Sequence, residues 1–183
     1  GIFCIIITIF LFVGCAKKAS DQVKLAKDVE QNIIAKEVRT ETVTGMKFRK
    51  IPRKSIWFRI GSSPTELGRQ GNEKQHTLRV EKFWMAETEV TQGQWKMIMG
   101  SNPSKFKGDD LPVDSISWNE AQKFIQKLNA RTGKEFRLPT EVEWELAARA
   151  GTTTARYWGE DIGFNNANCY RCGQRWDGRE TAP

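Results

Sequence analysis

Three times this chain places a Thr or Ser, and then a Glu or Gln three residues later, directly before a run of residues with helical spacing. The three instances begin at Thr91, Ser117 and Thr140. In such a capping box the hydroxyl accepts a hydrogen bond from the third helical N–H, and the acid or amide accepts from the N–H of the cap residue. The sequence therefore predicts three helices, over about 92–99, 118–131 and 141–150, followed by Gly100, Gly133 and Gly151.

Alternating apolar and charged residues before the first helix predict short strands. Met46 and Phe48 alternate with basic residues, and the segment 56–60 alternates in the same way, with Trp57 and Arg59 as its polar-facing positions. A third strand is expected over about 77–85. Short strands and capped helices joined by long connections indicate an irregular α+β domain.

The N-terminus reads as an export signal. Residues 2–13 are almost wholly apolar, too short for a membrane span of ~20 residues but suited to the core of a secretory signal. The run ends in Leu11-Phe12-Val13-Gly14-Cys15, which resembles a bacterial lipoprotein signal. We therefore predict a signal peptide at 1–15 with its start missing, lipidation of Cys15, export to the cell envelope and lipid anchoring to a membrane. The alternative is an ordinary signal in which Cys15 is incidental.

Residues 16–44 are rich in charge and contain no Gly, Pro, Trp or Phe, which predicts a polar stalk or linker. The chain carries a net charge of +7, but its Lys and Arg are mixed with 22 acids. Because no basic cluster along the sequence alternates with exposed aromatics, nucleic acid is not expected as a partner.

From residue 48 to the end, the chain contains separated strings with a distinctive order. They are Glu89-Val90-Thr91, Asn102-Pro103-Ser104, Pro112-Val113, Ser117-Trp118, Arg137-Leu138-Pro139-Thr140-Glu141-Val142-Glu143-Trp144-Glu145, Ala147-Ala148-Arg149-Ala150-Gly151, Trp158-Gly159, Ala167-Asn168-Cys169 and Thr181-Ala182-Pro183. Together they resemble the formylglycine-generating enzyme (sulfatase-modifying factor) family. The resemblance implies a C-type-lectin-like fold, low in regular secondary structure. Family members continue past the last residue here, so 45–183 is identified as the N-terminal part of an incomplete domain.

The resemblance leaves two functions open. In catalytic members a pair of cysteines binds copper(I) and uses oxygen to convert a sulfatase cysteine to formylglycine. That pair would lie beyond Pro183, so no catalytic residue is expected in this fragment, and copper is expected only if the missing part carries the pair. The alternative is a non-catalytic, lectin-like scaffold or binding module of an envelope, gliding or secretion assembly. The expected partners are accordingly a sulfatase client or envelope-complex proteins.

The resemblance also implies a structural calcium. Family members hold it with an Asn side chain and the next carbonyl, then an Asp side chain and a carbonyl two residues on. The matching positions are Asn168, Cys169, Asp177 and Arg179, with Cys169 and Arg179 acting through their main-chain carbonyls. Loop oxygens are the ligands that calcium prefers. The spacing after Asp177 is one residue short, and a plain Asn/Asp turn pair is the alternative.

Cys169 and Cys172 are a second candidate pair. Two sulfurs three residues apart suit half of a zinc or copper site, or a redox pair. Further ligands are scarce, because His76 is the sole histidine and both other cysteines lie in the predicted signal. We therefore expect a structural role, either a local disulfide formed in an oxidising compartment or loop packing.

The charged and aromatic residues of the signature strings are expected to be mainly structural. Glu143 belongs to a capping box, and Glu145 lies four residues before Arg149, as in a supporting ion pair. Four tryptophans are candidates for a carbohydrate-binding surface, although two of them, Trp118 and Trp144, are expected in the core. The four are Trp95, Trp118, Trp144 and Trp158.

Overall fold

The computed structural model describes residues 3–6, 37–52, 54–66, 68–161 and 163. In these residues six short strands precede the three helices, and a seventh strand lies between the last two helices. Within these residues no helix is both long and apolar enough to cross a membrane. In chain order the elements are β1 Phe3–Ile6, β2 Val38–Thr40, β3 Lys47–Ile51, β4 Ile56–Ile60, β5 His76–Val80, β6 Phe83–Glu89, α1 Gln92–Met99, α2 Trp118–Thr132, β7 Phe136–Arg137 and α3 Glu141–Arg149.

A five-stranded sheet lies at the centre of the fold, with strand order β2-β3-β6-β1-β7. β2, β3 and β6 are antiparallel neighbours, whereas β1 runs parallel to both β6 and β7. Consecutive residues of β6 are buried on opposite faces of the sheet: Trp84 and Ala86 belong to one core cluster, Phe83 and Met85 to the other. This alternation is the expected consequence of the two-residue period of a strand.

The two faces of the sheet are covered by different elements. On one face α1 and α2 pack together, with the rings of Trp95 and Phe124 stacked 5.0 Å apart. On the other face lie α3, through Leu146, and the separate two-stranded ribbon formed by β4 and β5. The result is a mixed α/β architecture in layers, as the sequence predicts.

All three capping boxes are present. Each cap hydroxyl accepts from the third helical N–H, and each reciprocal acid or amide accepts from the cap N–H. Gly100 and Gly133 end α1 and α2 in the left-handed conformation, as expected. The expected end of α3 is wrong by one residue: Ala150, at φ 47°, is the left-handed cap residue, and Gly151 follows it at φ 91°.

The third predicted strand is two strands. β5 ends at Val80 and β6 begins at Phe83, because the chain changes partner between them: β5 pairs with β4 in the ribbon, and β6 pairs with β3 in the main sheet. The intervening Glu81 and Lys82 are exposed. A period-two pattern in the sequence cannot reveal this change, because it does not show which strand a residue pairs with; in the structure β5 is mostly exposed, whereas the first four residues of β6 are buried.

Two short strands lie within segments assigned above to the signal and the stalk. Phe3–Ile6 forms β1, and Val38–Thr40 pairs with β3 as β2. After β2 the buried Glu41 accepts hydrogen bonds from the N–H groups of Val43 and Thr44, at 2.8 and 2.7 Å, which fixes the turn into β3. Cys15 lies outside the described residues, so the signal peptide and its lipidation stay predictions.

A buried amide holds the long loop between α1 and α2 against the fold. Gln92, 1% exposed, donates to the carbonyls of Phe106 and Pro112 at 2.8 and 3.1 Å. Its carbonyl oxygen accepts from the Asn102 side chain at 2.8 Å and from the Gly108 N–H at 3.1 Å. The Gln92 side chain thus contacts both the Asn102 and the Pro112 strings, and main-chain hydrogen bonds from Gln92 to Leu111 and from Val113 to Val90 add to the attachment of the loop.

Candidate functional site

A groove of about 590 Å³ lies between α3 and the loop that follows it. Its volume falls in the usual range for ligand sites, roughly 300–1,000 Å³. Three aromatic residues, Trp144, Tyr157 and Trp158, line it together with small residues and two arginines. The remaining lining residues are Glu145, Ala147, Ala148, Arg149, Ala150, Thr152, Ala155 and Arg156.

A tight turn presents two of these aromatic rings side by side. Arg156 and Gly159 exchange main-chain hydrogen bonds of 3.0 Å in both directions, which closes the loop around Tyr157 and Trp158. The two rings meet edge to face, with centroids 4.8 Å apart and planes at 90°. The indole N–H of Trp158 donates to the Asp161 carbonyl at 3.0 Å. The polar edge of Trp158 is thus satisfied within its own loop.

The charges beside the groove are engaged within the protein. Arg149 donates through Nε to Glu145 at 2.8 Å, and its other nitrogens donate to the carbonyls of Thr154 and Gly61 at 2.7 and 3.3 Å. Glu145 also accepts from the Gly61 N–H at 3.1 Å. The predicted i, i+4 pair is confirmed, and it ties the end of β4 and the groove loop to α3.

Glu143 is held still more tightly. Its two carboxylate oxygens accept from the two terminal nitrogens of Arg137, each at 2.6 Å, and one also accepts from the Thr140 N–H at 2.8 Å. Burial raises the pKa of Glu143, but the hydrogen bonds from Arg137 and Thr140 outweigh it and leave the pKa below its usual value. A carboxylate so committed is a structural group, as predicted from its place in the capping box.

Comparison with known proteins decides the family. The model of the sulfatase-modifying factor enzyme 1-like domain matches residues 46–182. The chain belongs to the formylglycine-generating enzyme family. The predicted fold class, an α+β domain with short strands and three capped helices, is confirmed.

Curated relatives of different kinds match parts of the chain. A formylglycine-generating enzyme of Thermomonospora curvata is 40% identical over 81 residues, which covers 44% of this chain and 24% of the relative. A chaperone protein, LppX of Paenibacillus barcinonensis, is 32% identical and covers 41% and 39%. An inactive C-alpha-formylglycine-generating enzyme 2 of Bos taurus is 35% identical and covers 58% and 32%. The chain spans about a quarter to two-fifths of the length of these relatives.

Two solved structures share the fold. Treponema denticola variable protein 1 superposes with a TM-score of 0.57 at 25% identity, covering 67% of this chain and 60% of that protein. PvdO from Pseudomonas aeruginosa also gives a TM-score of 0.57, at 22% identity, with coverage of 64% and 52%. The latter similarity concerns the fold alone.

The four candidate tryptophans lie in different environments. Trp95 is buried in the core, and Trp158 lines the groove. The expectation that Trp118 and Trp144 are core residues is wrong, because they are 62% and 39% exposed. Trp118 is the first residue of α2 and lies beyond the layer on which that helix packs, whereas Trp144 lies on the side of α3 that faces the groove.

The predicted ligand and cysteine positions lie outside the described residues. These are Asn168, Cys169, Cys172, Asp177 and Arg179. Within the described part, no group of three or more His, Cys, Asp or Glu side chains is placed to hold a metal ion. His76 is exposed, with its Nδ1 3.0 Å from the Lys74 carbonyl oxygen. The described residues therefore do not fit a copper site.

Sequence reasoning missed Tyr157 and Arg156 as groove residues. Both belong to a loop whose path is set by the main-chain exchange between Arg156 and Gly159, and that exchange has no regular period. The Trp158-Gly159 string was the one available signal, because a glycine beside a large aromatic marks a sharp turn.

Proposed function

We propose that this chain is part of an exported, lipid-anchored member of the family whose described region serves as a non-catalytic binding module in the cell envelope. The observation that carries the proposal is the groove of Trp144, Tyr157 and Trp158. Its neighbouring carboxylate and guanidinium groups are used to hold the loop to α3. Among the described residues, the groove offers aromatic faces for binding rather than a base and a nucleophile for chemistry.

A neutral sugar is the ligand class that suits this groove. Aromatic faces bind the apolar faces of sugar rings. The Glu145–Arg149 pair in the lining carries no net charge, and the second arginine, Arg156, already donates to the Glu160 carbonyl. Calorimetry with neutral oligosaccharides tests this assignment. We expect Trp144→Ala and Tyr157→Ala to weaken binding about tenfold each, on the order of 1.4 kcal/mol. The matched control is Trp118→Ala, an exposed tryptophan on another helix, which should leave binding unchanged; an equal loss there would overturn the assignment.

Oxidation of a sulfatase cysteine is the second candidate, favoured by the 40% identity to the Thermomonospora curvata enzyme. No residue of the described region is assigned a role in that reaction. Incubation of the full-length protein with a sulfatase peptide and copper(I) in air, followed by mass spectrometry, separates the two functions. We expect the peptide's cysteine to be unchanged. Formation of formylglycine would establish the enzymatic function instead.

Lipid anchoring is proposed at Cys15, on the support of the Leu11-to-Cys15 string. In cells fed labelled palmitate, we expect Cys15→Ser to abolish incorporation of label into the protein. Cys4→Ser is the matched control, because it alters a cysteine within the same apolar segment, and it should keep the label. Labelling that survives Cys15→Ser would contradict the assignment.

A further inference from the structure

The β4–β5 ribbon has one face in the core and one face in solvent. Directly opposite residues of an antiparallel pair share a face, and Trp57 lies opposite Arg79, with Arg59 opposite Thr77. All four of these side chains are exposed. The other face carries Ile56, Phe58, Ile60 and Val80 toward α3, through contacts with Val142, Leu146 and Ala147. We call the exposed side the outer face of the ribbon.

The outer face joins a large aromatic ring to a cluster of positive charge. Trp57 is 73% exposed. Arg59 and Arg79 lie beside it, and Lys54 and Lys82 lie at the strand ends, both exposed. The segments 54–60 and 76–82 contain these four basic residues and one acid, Glu81. Glu81 pairs with Arg79 at 2.9 Å, so a clear excess of positive charge remains around the tryptophan.

The combination of an exposed tryptophan and positive charge indicates which kind of partner binds the outer face. A second copy of the same face would bring two basic clusters together, which is unfavourable. An anionic membrane complements both features, because tryptophan concentrates at the boundary between lipid headgroups and acyl chains and basic side chains are attracted to anionic headgroups. We propose that the outer face of the β4–β5 ribbon docks on an anionic membrane surface, with Trp57 at the boundary and Arg59, Arg79, Lys54 and Lys82 at the headgroup phosphates.

The docking is expected to be weak alone and effective beside an anchor. One modest membrane-binding element gives reversible attachment, and two together give a stable one. In an anchored protein the ribbon would set which side of the domain faces the lipid. The inference does not depend on the proposed lipid at Cys15 or on the groove, because Trp57, Arg59 and Arg79 do not line the groove and their variants are tested without either.

The sequence shows this cluster only in part. Residues 47–59 contain six basic residues and no acid, and Trp57 and Arg59 belong to this stretch. Arg79 joins them only through the pairing of β4 with β5. The complete face becomes visible only when the register of the ribbon is known.

Sedimentation with vesicles tests the proposal on the whole 183-residue chain. Vesicles of phosphatidylcholine with phosphatidylglycerol are compared with vesicles of phosphatidylcholine alone. We expect preference for the anionic vesicles, and a loss of about tenfold in the partition coefficient for Trp57→Ala and for the double variant Arg59→Ala/Arg79→Ala. Added salt should weaken the binding of the parent chain. Thermal melting of each variant confirms that it folds, since the altered side chains are exposed.

Matched controls distinguish binding through the outer face from non-specific adsorption to vesicles. Trp118→Ala removes another highly exposed tryptophan, and Lys123→Ala/Lys127→Ala removes two exposed charges from α2; both should bind vesicles like the parent chain. Hydrogen exchange gives a local readout, because amides of β4 and β5 should be protected by anionic vesicles. Equal binding by Trp57→Ala and Trp118→Ala, without protection of β4 and β5, would overturn the proposal. Binding of the chain to an anionic polysaccharide but not to vesicles would also overturn the proposal. Self-association of the parent chain that Trp57→Ala abolishes would overturn it as well.

Discussion

Two buried carboxylates in this protein accept hydrogen bonds from residues that lie close to them in the sequence. Glu143, 8% exposed, closes the capping box of α3 and grips Arg137 with both oxygens. Glu41 does the same for the turn after β2, where burial raises its pKa but hydrogen bonds from Thr44 and Val43 leave it lowered. A lowered pKa in the folded state means that the ionised form contributes stability. Protonation of these two carboxylates in acid is therefore expected to lower the stability of the fold.

The sign of the acid effect follows from these two groups. Their contribution to the free energy of unfolding is fully present above about pH 4.5, their ordinary value, and is lost as the pH falls through the lower folded values. Glu143→Gln should cost about 1.5–3 kcal/mol at pH 7, because Arg137 loses its charged partner. The same variant should show a shallower fall in stability between pH 5 and 3, roughly, in urea titrations. Glu141→Gln, exposed in the same helical turn, should show neither effect.

Ala150 offers a gain in stability. It ends α3 at φ 47°, a conformation that costs a residue with a Cβ about 1–2 kcal/mol relative to glycine. Because glycine also loses more entropy on folding, Ala150→Gly should raise the free energy of unfolding by about 0.5 kcal/mol, measured by urea denaturation. Ala148→Gly is the matched control inside α3 and should lower it by about 1 kcal/mol. A loss of stability in both variants would contradict the left-handed cap.

At the scale of elements, loops are fixed by side chains from the helices beside them. Gln92 makes four hydrogen bonds to the loop between α1 and α2. Arg149 makes the corresponding contacts from α3 to the groove loop and to the end of β4. The irregular segments therefore have defined positions without regular secondary structure of their own.

Gln92→Glu should disrupt the first of these attachments. The substitution removes the two N–H donors and places a carboxylate against the carbonyls of Phe106 and Pro112. Leaving buried polar groups without partners costs about 1–3 kcal/mol each, so we expect a loss of about 3 kcal/mol or more in the free energy of unfolding at pH 7. Gln126→Glu, exposed on α2, makes the same chemical change in solvent and should be nearly neutral. Equal effects of the two variants would show that the network contributes little.

The sequence predicted the elements better than their arrangement. The capping boxes located the helices, because hydroxyl and acid spacing acts within one turn. The break between Val80 and Phe83, the placing of Phe3–Ile6 in the sheet and the exposure of Trp118 all depend on which element packs where. The groove shows the same division: the string containing Trp144 was recognised, but Tyr157 joins it through a loop path that no local pattern encodes.

At the scale of the whole molecule, the central sheet divides the apolar interior into two clusters, one beneath α1 and α2 and the other beneath α3 and the ribbon. The groove and the outer face of the ribbon both belong to the second side. The proposed sugar site and the proposed membrane-facing surface are thus built on the same small layer. Changes in α3 should affect both.

A bound calcium would add to the stability of the whole molecule. We propose Asn168 and Asp177 as side-chain ligands, with the carbonyls of Cys169 and Arg179. Ligand that binds only the folded state stabilises it by mass action, about 2.7 kcal/mol at a hundredfold excess over Kd. We therefore expect millimolar calcium, at a hundredfold excess over Kd, to raise the melting temperature by about 5–10 °C, since 1 kcal/mol shifts it by about 2–4 °C in a chain of 150–250 residues. Asp177→Asn should abolish the rise, while Asp161→Asn should keep it; a rise that is equal in both would exclude this site.

β1 bears on the proposed export of the protein. Phe3–Ile6 fills the position between β6 and β7, and the same residues lie in the apolar run that is predicted to engage the secretion machinery. One short segment cannot pair with the sheet and occupy a translocation channel at once. If the protein is exported as proposed, folding and secretion compete for this segment, and a chain that pairs β1 with the sheet before translocation would hide its export signal. Slow folding before export would then be an advantage, and cleavage before Cys15 would remove β1 from the mature protein.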